Sequence, residues 1–197
     1  MTSPDARAQP AHLPTTSSQT VGPYLHIGLT WLNNADLAAG VAVPPITLEG
    51  RIVDGDGAPV GDAVVEVWQA NQHGRYAHPE DRRDLPLEPN FAGFGRIPTD
   101  ADGRFAFRTI KPGPVDAPSG GLQAPHINVT ILMRGMLKQL YSRIYFPDEA
   151  SNAADPVLLS VPSGRRATLV AQRGERDGQY RWDVVLQGRG ETVFFSV

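Results

Sequence analysis

Ile46-Thr47-Leu48-Glu49-Gly50-Arg51-Ile52-Val53 runs into Asp54-Gly55-Asp56-Gly57, and Ala63-Val64-Val65-Glu66-Val67-Trp68-Gln69 follows. Apolar residues recur at every second position, the period of a strand with one face buried. The Asp-Gly-Asp-Gly word between the two runs is a turn signal, so the pair reads as a strand, a turn and a returning strand. The same period returns at 104–109, 126–133, 138–146, 167–172, 180–187 and 191–197. About eight strands at roughly even spacing, with no alternating helices, predict an all-β fold, an antiparallel β-sandwich. One short helix is expected within 148–154, and no 20–50-residue repeat is visible.

Outside these runs lie long loops and an N-terminal arm. Residues 70–102 keep no strand period, and an ordered loop of that length is usually functional or a partner contact. Residues 1–20 are rich in Ser, Thr, Pro and Ala. Val21-Gly22-Pro23-Tyr24-Leu25-His26-Ile27-Gly28-Leu29 then reads as an extended segment docked on a surface. The division expected is 1–45 as arm and interface segment and 46–197 as sandwich domain.

Composition narrows the function. Twenty Gly and 18 Pro in 197 residues suit short strands and turns better than long helices. There is no Cys, which removes thiol nucleophiles, disulfides and cysteine metal sites. A net charge of −3 makes no overall case for nucleic acid or an anionic membrane. No apolar run is long enough to span a bilayer and the first residues lack a signal-peptide core, so a cytoplasmic location is expected. Nucleophile-elbow, phosphate-loop, zincin and dinucleotide motifs are all missing. Of five histidines only His126 falls in a clear strand, with Asn128 two residues on along the same face.

A series of words goes further. Glu66-Val67-Trp68-Gln69-Ala70-Asn71, Gly74-Arg75-Tyr76, Pro89-Asn90-Phe91-Ala92-Gly93-Phe94-Gly95-Arg96, Thr99-Asp100-Ala101-Asp102-Gly103, Lys111-Pro112-Gly113-Pro114 and Ala124-Pro125-His126-Ile127-Asn128 follow in order. By these words, from Thr20 to Val197, the chain resembles the intradiol ring-cleavage dioxygenases. The resemblance implies Fe(III) held by two tyrosines and two histidines, a hard ion on largely hard donors, with an open position for a catecholate. Tyr76 matches the first tyrosine and His126 the first histidine. Val115 stands where the second tyrosine belongs, Asn128 where the second histidine belongs, and Gln123 where the family carries an arginine.

One Tyr and one His are too few donors, so the expectation is no catalytic and no metal-binding residue in this chain. The family has two-chain members acting on protocatechuate, in which only the β chain carries the whole iron set. The resemblance here is to the other, α-type chain. It implies a homologous β subunit holding Fe(III), protocatechuate and dioxygen as substrates, and a higher hetero-oligomer of such pairs. The product implied is 3-carboxy-cis,cis-muconate. The arm would reach the partner's pocket with Thr20, Gly22 and Pro23, and Arg134 would face the substrate carboxylate, with Arg143 the next candidate. From the residues alone, Gly22-Pro23 is a turn and Arg134 a strand-end arginine. The competing reading is a non-catalytic β-sandwich binding or carrier module, which leaves the words of 69–114 unexplained.

Overall fold

The computed structural model describes residues 15–118 and 120–196. In chain order its strands are β1 (Pro45–Val53), β2 (Ala63–Trp68), β3 (Phe94–Pro98), β4 (Arg104–Ile110), β5 (Val115–Asp116), β6 (Leu122–Gln123), β7 (His126–Met133), β8 (Leu140–Tyr145), β9 (Gln172–Arg173), β10 (Gln179–Arg181) and β11 (Val184–Val185). The α-helices are short, α1 (Tyr24–Ile27) and α2 (Pro156–Ser160). Among the described residues no helix is long and apolar enough to cross a membrane.

Two sheets enclose the core, as the alternation predicts. One has β1 at its centre, with β4 antiparallel on one side and β10 and β11 parallel on the other. The second runs β3-β2-β7-β8, antiparallel throughout. Ile46, Leu48 and Ile52 of β1 and Phe105 and Phe107 of β4 point inward. They meet Val65 and Val67 of β2, Ile127, Val129 and Ile131 of β7, and Ile144 of β8. Leu37 and Ala38, ahead of β1, also join this core.

Several elements differ from expectation. β1 and β2 do not pair: after the turn, Val60 N–H bonds Ile52 O (3.0 Å), and the chain then crosses the core into the other sheet. β3 lies inside the loop that shows no period. The run at 180–187 is broken around Trp182 into β10 and β11, both along β1. Residues 163–169 form a 3-10 helix, and 191–196 contribute a single bridge, Tyr141 with Phe195. The segment read as extended at Val21–Leu29 contains α1, begun by Pro23, whose fixed φ suits a helix start. Around 148–154 a 3-10 turn, Ala150–Ala154, leads into α2, where Asp155 caps the N–H of Leu158 and Pro156 opens the helix.

Candidate functional site

Register places the site on the outer face of the second sheet. Trp68 lies opposite Asn128, and Asn128 opposite Arg143, so the three form one row across β2, β7 and β8. His126 and Tyr145 form the next row, their rings 5.9 Å apart. The loop after β2 returns over this face and stacks Tyr76 on Trp68, at 5.6 Å and 18°. Its shape is held locally. The Asn71 carboxamide accepts the N–H groups of His73 and Arg75, and Asp81 accepts Tyr76 N–H (2.8 Å). Arg83 grips Asp81 (2.6 Å), Gly74 O (2.7 Å) and Asp116 (3.2 Å). That pairing holds the Asp81 carboxyl well below the usual carboxylate range. The β5–β6 hairpin sets Val115 beside Gln123. A cavity of about 830 Å³ opens against Trp68, Tyr76, His78, Asp81 and Arg83.

Tyr76 and Asn128 do meet, the amide Nδ2 pointing at the phenol oxygen at 3.4 Å. His126 is buried and its Nδ1 bonds Ala124 O (2.7 Å). Val115 is buried and offers no donor atom. Burial raises the pKa of the Tyr76 phenol. Burial first, and the Arg143 charge second, push His126 down to about 4. A guanidinium already stands in the row: Arg143 Nη1 donates to Gln123 Oε1 (2.5 Å). The residues present do not fit Fe(III). No group of three or more His, Cys, Asp or Glu suited to a metal exists among the described residues.

The sequence offered Arg143 only as a second candidate for the substrate carboxylate, and it missed Asp155. Position 123 carries no arginine, and the Arg143 guanidinium, from β8, donates to the glutamine that stands there. Fully buried Asp155 supports the floor: it accepts Tyr145 OH (3.0 Å) and Ala124 N–H (2.7 Å) while capping α2. The Asp155-Pro156 dipeptide was the legible signal for that cap.

The other predicted residues gather elsewhere. Ala63 pairs with Met133 at the far end of β2 and β7, and just beyond it Arg134 bonds Asp62. Thr20 Oγ1 accepts Gly135 N–H (2.8 Å), tying the arm to the same turn. Gly22 follows with a φ of +70°, which favours glycine, and Pro23 is exposed at the start of α1. Asp62 and Arg134 lie six residues along the strands from the Trp68–Asn128 pair, ~20 Å at about 3.4 Å per residue.

A family profile described as Dioxygenase matches residues 26–188. The chain is 45% identical over 201 residues to the protocatechuate 3,4-dioxygenase alpha chain of Burkholderia cepacia, across 94% of this chain and 98% of that one. It is 39% identical over 156 residues to the beta chain from the same species, across 75% and 66%. Among solved structures, the dioxygenase domain of a carbohydrate-binding fusion from Streptomyces sp. SirexAA-E aligns with a TM-score of 0.58 at 25% identity, over 82% of this chain and 89% of that one. An intradiol ring-cleavage dioxygenase from Tetranychus urticae shares the fold, with a TM-score of 0.61 at 16% identity over 87% and 94%. Fe(III) is the metal of these enzymes. With the fold, the ordered words and a degenerate form of the tyrosine–histidine site in one chain, the protein belongs to the intradiol ring-cleavage dioxygenase family.

Proposed function

We propose that this chain is the iron-free α subunit of a two-chain protocatechuate 3,4-dioxygenase. Its homologous β partner holds Fe(III) and performs the ring opening of protocatechuate by dioxygen to 3-carboxy-cis,cis-muconate. This chain supplies Thr20, Gly22, Pro23 and Arg134 to the carboxylate end of the substrate pocket.

The observation that carries the reading is a separation. Arg134 lies ~20 Å along the strands from this chain's own Tyr76–Asn128 contact, and Thr20 is bonded to the residue after it, so they cannot complete that pocket. A corner bearing Arg134 beside a pocket of only about 20 Å³, between Val21, Met133 and Met136, makes sense when a second chain brings a larger one. Nearby, Tyr24, Ile27 and Trp31 are 66%, 67% and 76% exposed, an apolar surface suited to burial against a partner. In the pair, the iron supplies the activation of catecholate and oxygen. The role left to this chain is to bind the substrate's remote charge and orient the ring.

Expression with and without a homologous iron-bearing chain tests the reading. The isolated chain should be colourless and iron-free by metal analysis. The complex should carry a visible tyrosinate–iron band and consume protocatechuate. Stoichiometric iron in the isolated chain, or ring cleavage by it alone, would refute the assignment. Failure of any iron-binding homologue to copurify from the native host would favour a binding module.

A further inference from the structure

We infer that Asp62 is a positioning residue for Arg134, setting its guanidinium for a ring carboxylate before any partner docks. The inference rests on the proposed function and deepens it.

Strand register brings the two residues together. Ala63 and Met133 form the last pair of the β2–β7 ladder, so Asp62 and Arg134 are the next residues outward on the two strands. Their side chains meet through Arg134 Nε and Asp62 Oδ2. Asp62 is the better anchored member, its side chain 32% exposed against 63% for Arg134. With Nε engaged, the two Nη groups make no hydrogen bond among the described residues. They form the end of the fork that receives a carboxylate through two parallel bonds. One residue on, Gly135 donates its N–H to Thr20 Oγ1 at 2.8 Å, so the arm bearing Gly22 and Pro23 is held at the same turn.

An arginine this exposed would otherwise sample many rotamers, and the substrate would have to order it on binding. Asp62 removes that ordering cost in advance. The substrate carboxylate keeps its charge while the ring is opened, so the gain is equal in ground and transition states and enters through KM. The opposing possibility is competition, in which the Asp62 anion holds the guanidinium away from the substrate. The two differ in the sign of the effect.

Steady-state kinetics of the two-chain complex, on protocatechuate and on catechol, separate them. Asp62→Ala should raise KM for protocatechuate roughly three- to tenfold, the range set by ordering one long side chain. Turnover should hold, and KM for catechol, which lacks the carboxylate, should not move. Asp62→Asn, which keeps an oxygen to accept Nε–H, should restore most of the loss. An unchanged or lowered KM in Asp62→Ala, equal rises on both substrates, or an Asn variant as impaired as Ala would each overturn the inference. Arg134→Ala distinguishes the levels. If it shows no preference for protocatechuate, the proposed role of the corner fails; if it does while Asp62→Ala has no effect, only the positioning role fails.

Discussion

His126 retains a place in the degenerate site and has become a buried neutral residue. It is 3% exposed, and burial, helped by the Arg143 charge, lowers its pKa to about 4 from the usual 6.5. Between those values the unfolded chain takes up a proton that the folded chain refuses. Stability is therefore complete above about pH 6.5 and falls as the pH drops toward 4. At about 1.4 kcal/mol per unit, the loss from pH 7 to pH 5 is about 2 kcal/mol. Denaturant titrations of the isolated chain at the two pH values measure it. His126→Gln should flatten the dependence by that amount, and an unchanged slope would place the acid sensitivity in other groups.

At the scale of elements, the two words Gly74-Arg75-Tyr76 and Lys111-Pro112-Gly113-Pro114 pack backbone to backbone. Gly74 and Gly113 both donate their N–H to Asn71 O, at 3.0 and 2.8 Å. A Cβ on Gly74, whose φ is +79°, would stand 2.0 Å from Pro114 O; one on Gly113 would meet Gln72 O at 2.4 Å. The glycines bring the Tyr76 loop against the strand carrying Val115. Gly74→Ala combines backbone strain with a main-chain clash and should cost on the order of 3 kcal/mol. Gly164→Ala, with open space around its Cβ and no positive φ, should stay within about 0.5 kcal/mol of the parent. Thermal melts of both variants compare them, and equal melts would mean that the loops can part at little cost.

For the whole molecule, the apolar side chains left outside matter most. Tyr24, Ile27 and Trp31 on the segment before β1, with Phe94 at the edge of the second sheet, remain exposed, whereas Phe91 from the same long loop is buried in the core. A partner that binds only the folded chain stabilises it by mass action, about 2.7 kcal/mol at a hundredfold excess over Kd. For a domain of this size that is roughly 5–10 °C in Tm. The complex should melt higher than the isolated chain by that margin, with a midpoint that rises with concentration. Equal, concentration-independent melts would show that the exposed segment contributes no interface.

The sandwich was legible where one face of a strand is buried and the other wet. In β1, β4 and β7 the alternation of Ile46, Leu48 and Ile52, of Phe105 and Phe107, and of Ile127, Val129 and Ile131 matches the inward positions. It failed at β3, where the inward Gly95 has no side chain because Leu37 and Asn34 pack against its backbone, and Arg96 is buried by its bond to Glu66. Val115 and Asn128 at the tyrosine and histidine positions were legible too, because a residue's identity gives the donor atoms it carries. Arg143 beside Gln123, Asp62 beside Arg134, and the distance between the two clusters were not. Each depends on which residues face one another across strands, and a single strand's sequence does not contain its partner's register. Sequence alone determined that valine, asparagine and glutamine stand at 115, 128 and 123; tertiary structure alone decided where the remaining charges point.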